Sequence, residues 1–332
     1  MSQALRQLIF DSSIPFAERA VRVFNFQKSF NSVYSTFAEV LGIAGNITSD
    51  FPIHYIPLIP IRVFKEAEIK SFDVTADLIF KSSGTGNMSQ SRHFVKESSV
   101  YIKSIEKEFY RYFPKENTSI LCYTPGYAEN PHSSLIWMLN HLVNQDPSGL
   151  SRFIPLQQPL KKESIKDLLD SKRNIVLFGA AFGLLDLIEK ESDPLPASAQ
   201  IVETGGMKTH RREISKTELR NILSDGFQIL QHQIHSEYGM CELLSQCYAI
   251  GGEWFEPPNW VNISVRKAED PTKICKPHEP GKLGIIDLAN LYSCPFILTD
   301  DIGIMDDSGR FKVLGRWKKA EMRGCNFLID RD

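Results

Sequence analysis

The chain has 332 residues, which at about 150 residues per domain is room for two units or one large one. Hydrophobic residues make up 42% and charged residues 23%, excluding disorder, collagen and small disulfide scaffolds. Against 40 Asp and Glu stand 38 Lys and Arg, a net charge of −2, so the basic excess of a nucleic-acid binder is missing.

The first stretch predicts helices. Ser12 or Ser13 is placed to cap one, with Pro15 in its first turn, where a missing N–H costs little. Phe16, Val21 and Phe24, then Val33, Phe37, Val40 and Leu41, recur near helical spacing and are expected in the core. Residues 42–51 read as a loop, and Pro52, Pro57 and Pro60 keep the next apolar run out of a central strand. From about residue 73 strands and helices alternate. Strands are predicted at 77–80, 119–123, 174–178, 200–203 and 233–235, and helices around 100–109, 133–143, 182–188 and 219–223. This alternation argues for an α/β fold with buried, largely parallel strands and ligands at their carboxyl ends. From Trp254 onward the segments are short and β-like, and Asp307-Ser308-Gly309 reads as a hairpin turn.

The six cysteines, Cys122, Cys241, Cys247, Cys275, Cys294 and Cys325, show no C-x-x-C spacing and are too sparse for a disulfide framework. No apolar signal region opens the chain, and no uncharged apolar run reaches about 18 residues. A cytoplasmic protein without a membrane span is expected.

Three segments carry chemistry. Ser82-Ser83-Gly84-Thr85-Gly86-Asn87 follows a strand, and its glycine-exposed N–H groups and hydroxyls suit phosphate oxygens. It is neither a Walker loop nor a complete dinucleotide fingerprint, since no Gly-Lys-Ser/Thr and no third glycine follow. The second is Glu237-Tyr238-Gly239-Met240-Cys241-Glu242, and the third runs from Leu298 through Thr299, Asp300, Asp301, Ile302 and Gly303 to Gly315-Arg316.

In this order, with Thr204-Gly205-Gly206 between them, the segments resemble those of the acyl-adenylate-forming superfamily, ligases that activate carboxylic acids with ATP. Within it the chain looks like the acyl-protein synthetase family of bacterial luminescence fatty-acid reductases. That narrower likeness rests on Ser91-Arg92-His93, the run from Glu203 to Lys208, the run from His235 to Met240, Asp287-Leu288-Ala289-Asn290 and Arg323-Gly324-Cys325-Asn326.

The resemblance implies the large α/β domain of adenylate-forming ligases, with layered α/β subdomains and a β-rich C-terminal part, but without the usual small C-terminal domain. Residues 1–72 would be a helical lead-in, 73–316 the adenylation core and 317–332 a tail carrying Cys325. Ser82, Ser83, Gly84, Thr85 and Gly86 would cradle the ATP phosphates, and Tyr238 and Gly239 would meet adenine beside Gly205 and Gly206. Asp301 would take the ribose hydroxyls with Arg316 nearby, and Glu242 would hold Mg²⁺.

The acyl chain would lie near Phe182-Gly183 and the helix from Ser133 to Trp137. The phosphate loop is one residue short and lacks a common lysine, a charge that Arg92 or Lys96 could supply. Lys208, His210 and Arg211 are candidates for stabilising the reacting phosphate. Cys325, near the C-terminus as in the family, would accept the acyl group, with Arg323 favouring its thiolate. His93 and His235 are expected to be structural or phosphate-facing. The substrate would be a fatty or other carboxylic acid, and an acyl-reductase or acyl-carrier protein a partner. Cys241 in place of a threonine motivates the alternative, a nucleotide- or acyl-binding homologue without turnover.

Overall fold

The computed structural model describes residues 2–82, 90–126, 129–205 and 214–317. It opens with helices α1 (Ser2–Leu8), α2 (Phe16–Phe30) and α3 (Ser32–Val40). Pro15 itself occupies the N-cap position of α2, so the cap falls two or three residues later than expected. Ser13 is spent on a local turn, its N–H and hydroxyl both donating to Asp11 at 2.9 and 2.6 Å. Val40 and Leu41 are not core residues as the spacing predicts: α3 stops at Val40, leaving them 80% and 51% exposed. Periodicity alone cannot tell where a helix leaves the surface that buries it.

Polar side chains on α2 and α3 reach into later parts of the chain. Buried Arg19 donates to the carbonyls of Ile9 and Asn259, and Gln27 to that of Leu291 at 2.7 Å. Asn31 caps α3 by accepting from Tyr34 N–H, and its amide donates to Gln27 and to the carbonyl of Ser293, both at 2.8 Å. All but the bond from Asn31 to the Gln27 side chain satisfy main-chain groups that would be costly to bury unpaired.

Next come the short edge strand β1 (Ile59–Pro60), the one-turn helix α4 (Val63–Glu66), and a hairpin of β2 (Leu78–Lys81) with β3 (Arg92–Val95). β3 is absent from the sequence reading because its four residues directly follow a loop and show no alternation. Then follow α5 (Ser98–Tyr112), β4 (Thr118–Tyr123), α6 (Ser134–Asn144), β5 (Arg152–Phe153), α7 (Lys166–Ser171), β6 (Asn174–Ala180) and α8 (Ala181–Glu189). The α/β part closes with β7 (Gln200–Thr204), α9 (Lys216–Phe227), β8 (Ile234–Tyr238) and β9 (Cys247–Ala249).

These strands form a sheet in the order β5-β4-β6-β7-β8-β9, parallel except for β9. Its strands are apolar on both faces. Leu121, Ile175, Leu177 and Ile201 pack with α7, α8 and α9, while Ile120, Cys122, Val176, Phe178 and Val202 join the core shared with α5 and α6. Double burial explains why they read as unbroken apolar runs.

The last part is antiparallel: β10 (Val261–Arg266), β11 (Gly281–Asp287), β12 (Phe296–Met305) and β13 (Phe311–Arg316). β1 joins β12 in parallel at the sheet edge, pairing Ile59 with Ile297 and Pro60 with Leu298, an edge position that proline tolerates. The β12–β13 hairpin turns at Gly309, where φ is +84°, while Asp306 accepts from the N–H groups of Ser308 and Arg310. No described helix is long and apolar enough to cross a membrane.

Asn31 caps a helix and holds two distant groups at once. Asn31→Ala should therefore lower unfolding free energy by about 2 kcal/mol, measured by urea denaturation. A loss under about 0.5 kcal/mol, the range of an ordinary surface change, would show that these bonds are dispensable.

Candidate active site

β6, β7 and β8 run parallel, so their carboxyl ends emerge along one edge. Ala180, Thr204-Gly205 and the segment after Tyr238 all open there into a cleft of about 850 Å³. β12 supplies Asp300 and Asp301 to the same cleft, β13 supplies Arg316, and the stub of the Ser82 loop and Ser91 form another wall. Gly205 closes β7 with φ of +79°, a conformation that disfavours a side chain. At Gly239 a Cβ would lie 2.5 Å from the Glu237 carboxylate, so a side chain there would displace that group.

Glu242 is buried on the cleft wall, and burial raises its pKa above the usual carboxylate value. Its loop is clamped from three sides. His93 donates from Nδ1 to the carbonyl of Cys241 at 2.8 Å, and Asn290 donates to the carbonyl of Glu242 at 2.8 Å. Asp287 accepts from Leu244 N–H at 3.0 Å and from the Ser245 hydroxyl at 2.6 Å. The bond to a carbonyl assigns the proton of neutral His93 to Nδ1, leaving Nε2 to accept from Ser293 at 2.9 Å. Burial lowers the His93 pKa to about 4, so it serves as a neutral brace. His235 has the same character: it accepts from Gly251 N–H, faces Gln200, and burial holds its pKa near about 4.

The Ser91 hydroxyl is buried beside Glu242 and acts on its carboxylate, opposing the effect of burial. Among the described residues no three His, Cys, Asp or Glu side chains converge as metal ligands. One buried carboxylate with a hydroxyl next to it nevertheless suits a hard cation that takes its remaining oxygens from phosphates and water.

Asp301 is buried, and its two oxygens have separate partners. Oδ2 accepts from the Tyr238 hydroxyl at 2.9 Å and Oδ1 from Arg316 Nε at 3.0 Å. Asp300 points outward and pairs with Lys282 at 3.2 Å. The Tyr238 ring lies against Phe255 and Phe311, with ring centres 5.8 and 5.5 Å away.

Two further carboxylates lie side by side on β7 and β8. Glu203 takes Lys216 and the Ser236 hydroxyl, while Glu237 takes the Thr204 hydroxyl and faces the cleft. Burial first, then the charge of Glu203, pushes the Glu237 carboxyl up to about 7.

Ser82, Gly205, Gly239, Glu242, Asp301 and Arg316 thus meet at one cleft, with Tyr238 directly behind Asp301. Phe182 and the start of α6 from Ser133 to Ile136 line its apolar end, while Trp137 stacks on Tyr101 behind it. Arg92 and Lys96 are not brought there. Arg92 pairs with Glu68 at 3.2 Å, and Lys96 sits 4.6 Å from the centre of the Tyr292 ring. Ser83, Gly84, Thr85, Gly86, Gly206, Lys208, His210, Arg211 and Cys325 lie outside the described residues. The sequence reading expected His93 to be structural or phosphate-facing but did not say what it holds, and it missed Arg62, Lys65 and Lys81 on the cleft and the bracing roles of Asp287 and Asn290. His93, Asp287 and Asn290 lie in segments that carried the family resemblance, but no local pattern showed what they hold.

Residues 145–332 match the family model described as acyl-protein synthetase, LuxE, more than half of the chain. No curated protein matches it in sequence. Among solved structures, ATP-bound MatB from Rhodopseudomonas palustris is similar with a TM-score of 0.52 at 16% identity, over 74% of this chain and 50% of that one. A 2-hydroxyisobutyryl-CoA ligase in complex with 2-HIB-AMP, in the postadenylation state, gives 0.64 at 10% identity, over 91% of this chain and 67% of that one. The same ligase in an open conformation with 2-HIB-AMP and CoA gives 0.61. The chain spans about half the length of MatB.

Glu237 links this edge to pH. Its folded pKa of about 7 lies above the ordinary value of 4.5, so the folded state keeps a proton that the unfolded state releases. The resulting stability is fully present below about pH 4.5 and is lost as pH rises through about 7. Glu237→Gln should flatten this decline, measured as urea unfolding free energy at about pH 5 and about pH 7.5. Equal declines in both proteins would refute the assignment.

Proposed function

Because the chain belongs to the acyl-protein synthetase family LuxE and has the fold of adenylate-forming ligase domains, we propose that it activates a carboxylic acid with ATP and passes the acyl group to a protein thiol. The observation that carries this reading is the convergence of Ser82, Gly205, Glu242, Asp301 and Arg316 on one cleft from separate stretches of chain.

In this reading Asp301 accepts from the ribose hydroxyls, and Arg316 and Tyr238 hold its carboxylate in place for them. Ser82 and the loop that follows it receive the phosphates. The clamped Glu242, with Ser91 beside it, would hold Mg²⁺, which when bound neutralises phosphate charge. The substrate acid lies toward Phe182, Leu135 and Ile136, the apolar end that supports a fatty or other hydrophobic acid. Its carboxylate oxygen bonds to the α-phosphorus as the bond to the β-phosphate breaks, releasing pyrophosphate. A wall of fixed donors lowers this barrier because it needs no reorganisation as charge shifts.

For the second step a thiolate attacks the acyl carbonyl carbon, the bond to the phosphate oxygen breaks, and AMP departs. Burial raises the thiol pKa of each of the five described cysteines above the usual range, Cys241 on the cleft included. A thiol is a poor nucleophile until ionised. That supports Cys325 as the acceptor within this chain and an acyl-reductase or acyl-carrier protein as the next partner.

ATP–pyrophosphate exchange should appear with at least one member of a panel of fatty and aromatic acids. ATP binding without acid-dependent exchange would instead favour a nucleotide-binding homologue without turnover. Cys325→Ala should abolish covalent labelling by radioactive acid plus ATP while exchange continues; persistent labelling would remove Cys325 from the scheme.

A further inference from the structure

The cations around the cleft fall into two groups. Arg316 is paired with Asp301, Lys282 with Asp300 and Arg92 with Glu68. Arg62, Lys65 and Lys81 line the cleft without an ion pair to any described carboxylate. Exposed unpaired cations are ordinary on a surface. On the wall of the cleft proposed above to take ATP they are a ready source of counter-charge.

Lys65 is distinguished from the other two by how it is held and what it faces. The segment that carries it is pinned to β12, the strand of Asp301: β1 pairs with that strand, and Ile61 N–H donates to the carbonyl of Leu298 at 2.9 Å. Phe64, fully buried, sets its ring edge-on to His93 at 6.0 Å, and His93 in turn braces the carbonyl of Cys241. The turn bearing Lys65 is therefore fixed at once to the aspartate strand and to the Glu242 loop. Lys65 and Glu242 line the same cleft.

We propose that Lys65, with Arg62 one helical turn before it, is a phosphate-binding cation of this cleft that meets the β- and γ-phosphates of ATP beside Glu242. The assignment rests on the adenylation reading above and assigns the charge at its leaving-group end to the N-terminal part of the chain. As the α–β bond breaks, negative charge builds on the departing pyrophosphate, and a fixed ammonium there stabilises it. The step transfers no proton to or from Lys65.

Calorimetric titration with ATP and with AMP separates this idea from the reading beneath it. Lys65→Ala should weaken ATP binding about tenfold and leave AMP binding unchanged, because AMP lacks the two outer phosphates. Lys65→Arg should stay within about threefold of the wild type for ATP, and Lys273→Ala, on an exposed turn, should match the wild type for both. In exchange assays Lys65→Ala should lower kcat as well. Equal weakening of ATP and AMP, or unchanged ATP binding, would overturn the role of Lys65 while leaving adenylation standing. A wild-type chain that binds neither nucleotide would overturn both. Circular dichroism of each variant checks that the fold is retained, and the arginine variant guards against reading a packing defect as lost charge.

Discussion

The hydroxyl of Tyr238 donates to Asp301 across the seam between the parallel and antiparallel sheets. Tyr238 ends β8, and Asp301 lies in β12, so this bond fixes the carboxyl edge of one sheet against a strand of the other. The aromatic packing of Tyr238 on Phe255 and Phe311 keeps water from competing for it. The cleft exists because the two edges are held at this separation, and the Glu242 loop and the turn of Lys65 hang from the same pair of strands.

The polar residues around the cleft divide by what they touch. His93, Asp287 and Asn290 face inward and each bonds to the 241–245 loop. Burial lowers the His93 pKa to about 4 and raises that of Asp287 to about 6. Three independent clamps on one short loop hold Glu242 in a single orientation, the precondition for useful preorganised charge. Lys65 and Arg62 are different: they line the cleft without an ion pair to any described carboxylate, so their charge faces whatever enters.

Much of the fold was legible from pattern. The buried parallel strands announced themselves as apolar runs such as 174–178, and the hairpin turn at Asp307-Ser308-Gly309 by its residue types. The site was legible in part, because Glu242, Asp301 and Arg316 stand in ordered motifs. β3 was not legible, since four residues pairing only with β2 leave no periodic trace. Val40 and Leu41 misled for the opposite reason: helical spacing continued one turn past the surface that buries it. Arg92 and Lys96 lay close to the phosphate loop in sequence, yet β3 carries one toward Glu68 and the other toward Tyr292.

What the sequence determined by itself was local: which segments become strands, where chains turn, and which residue types could meet phosphate, ribose and a hard cation. These depend on side-chain periodicity and on spacings of a few residues. Only the tertiary structure decided which charges share the cleft, because Lys65 and Glu242 are far apart in sequence and meet through β1, β12 and His93. Coulombic and hydrogen-bonding partnerships depend on distance in space, and no pattern along the chain encodes the route by which separate strands bring two residues together.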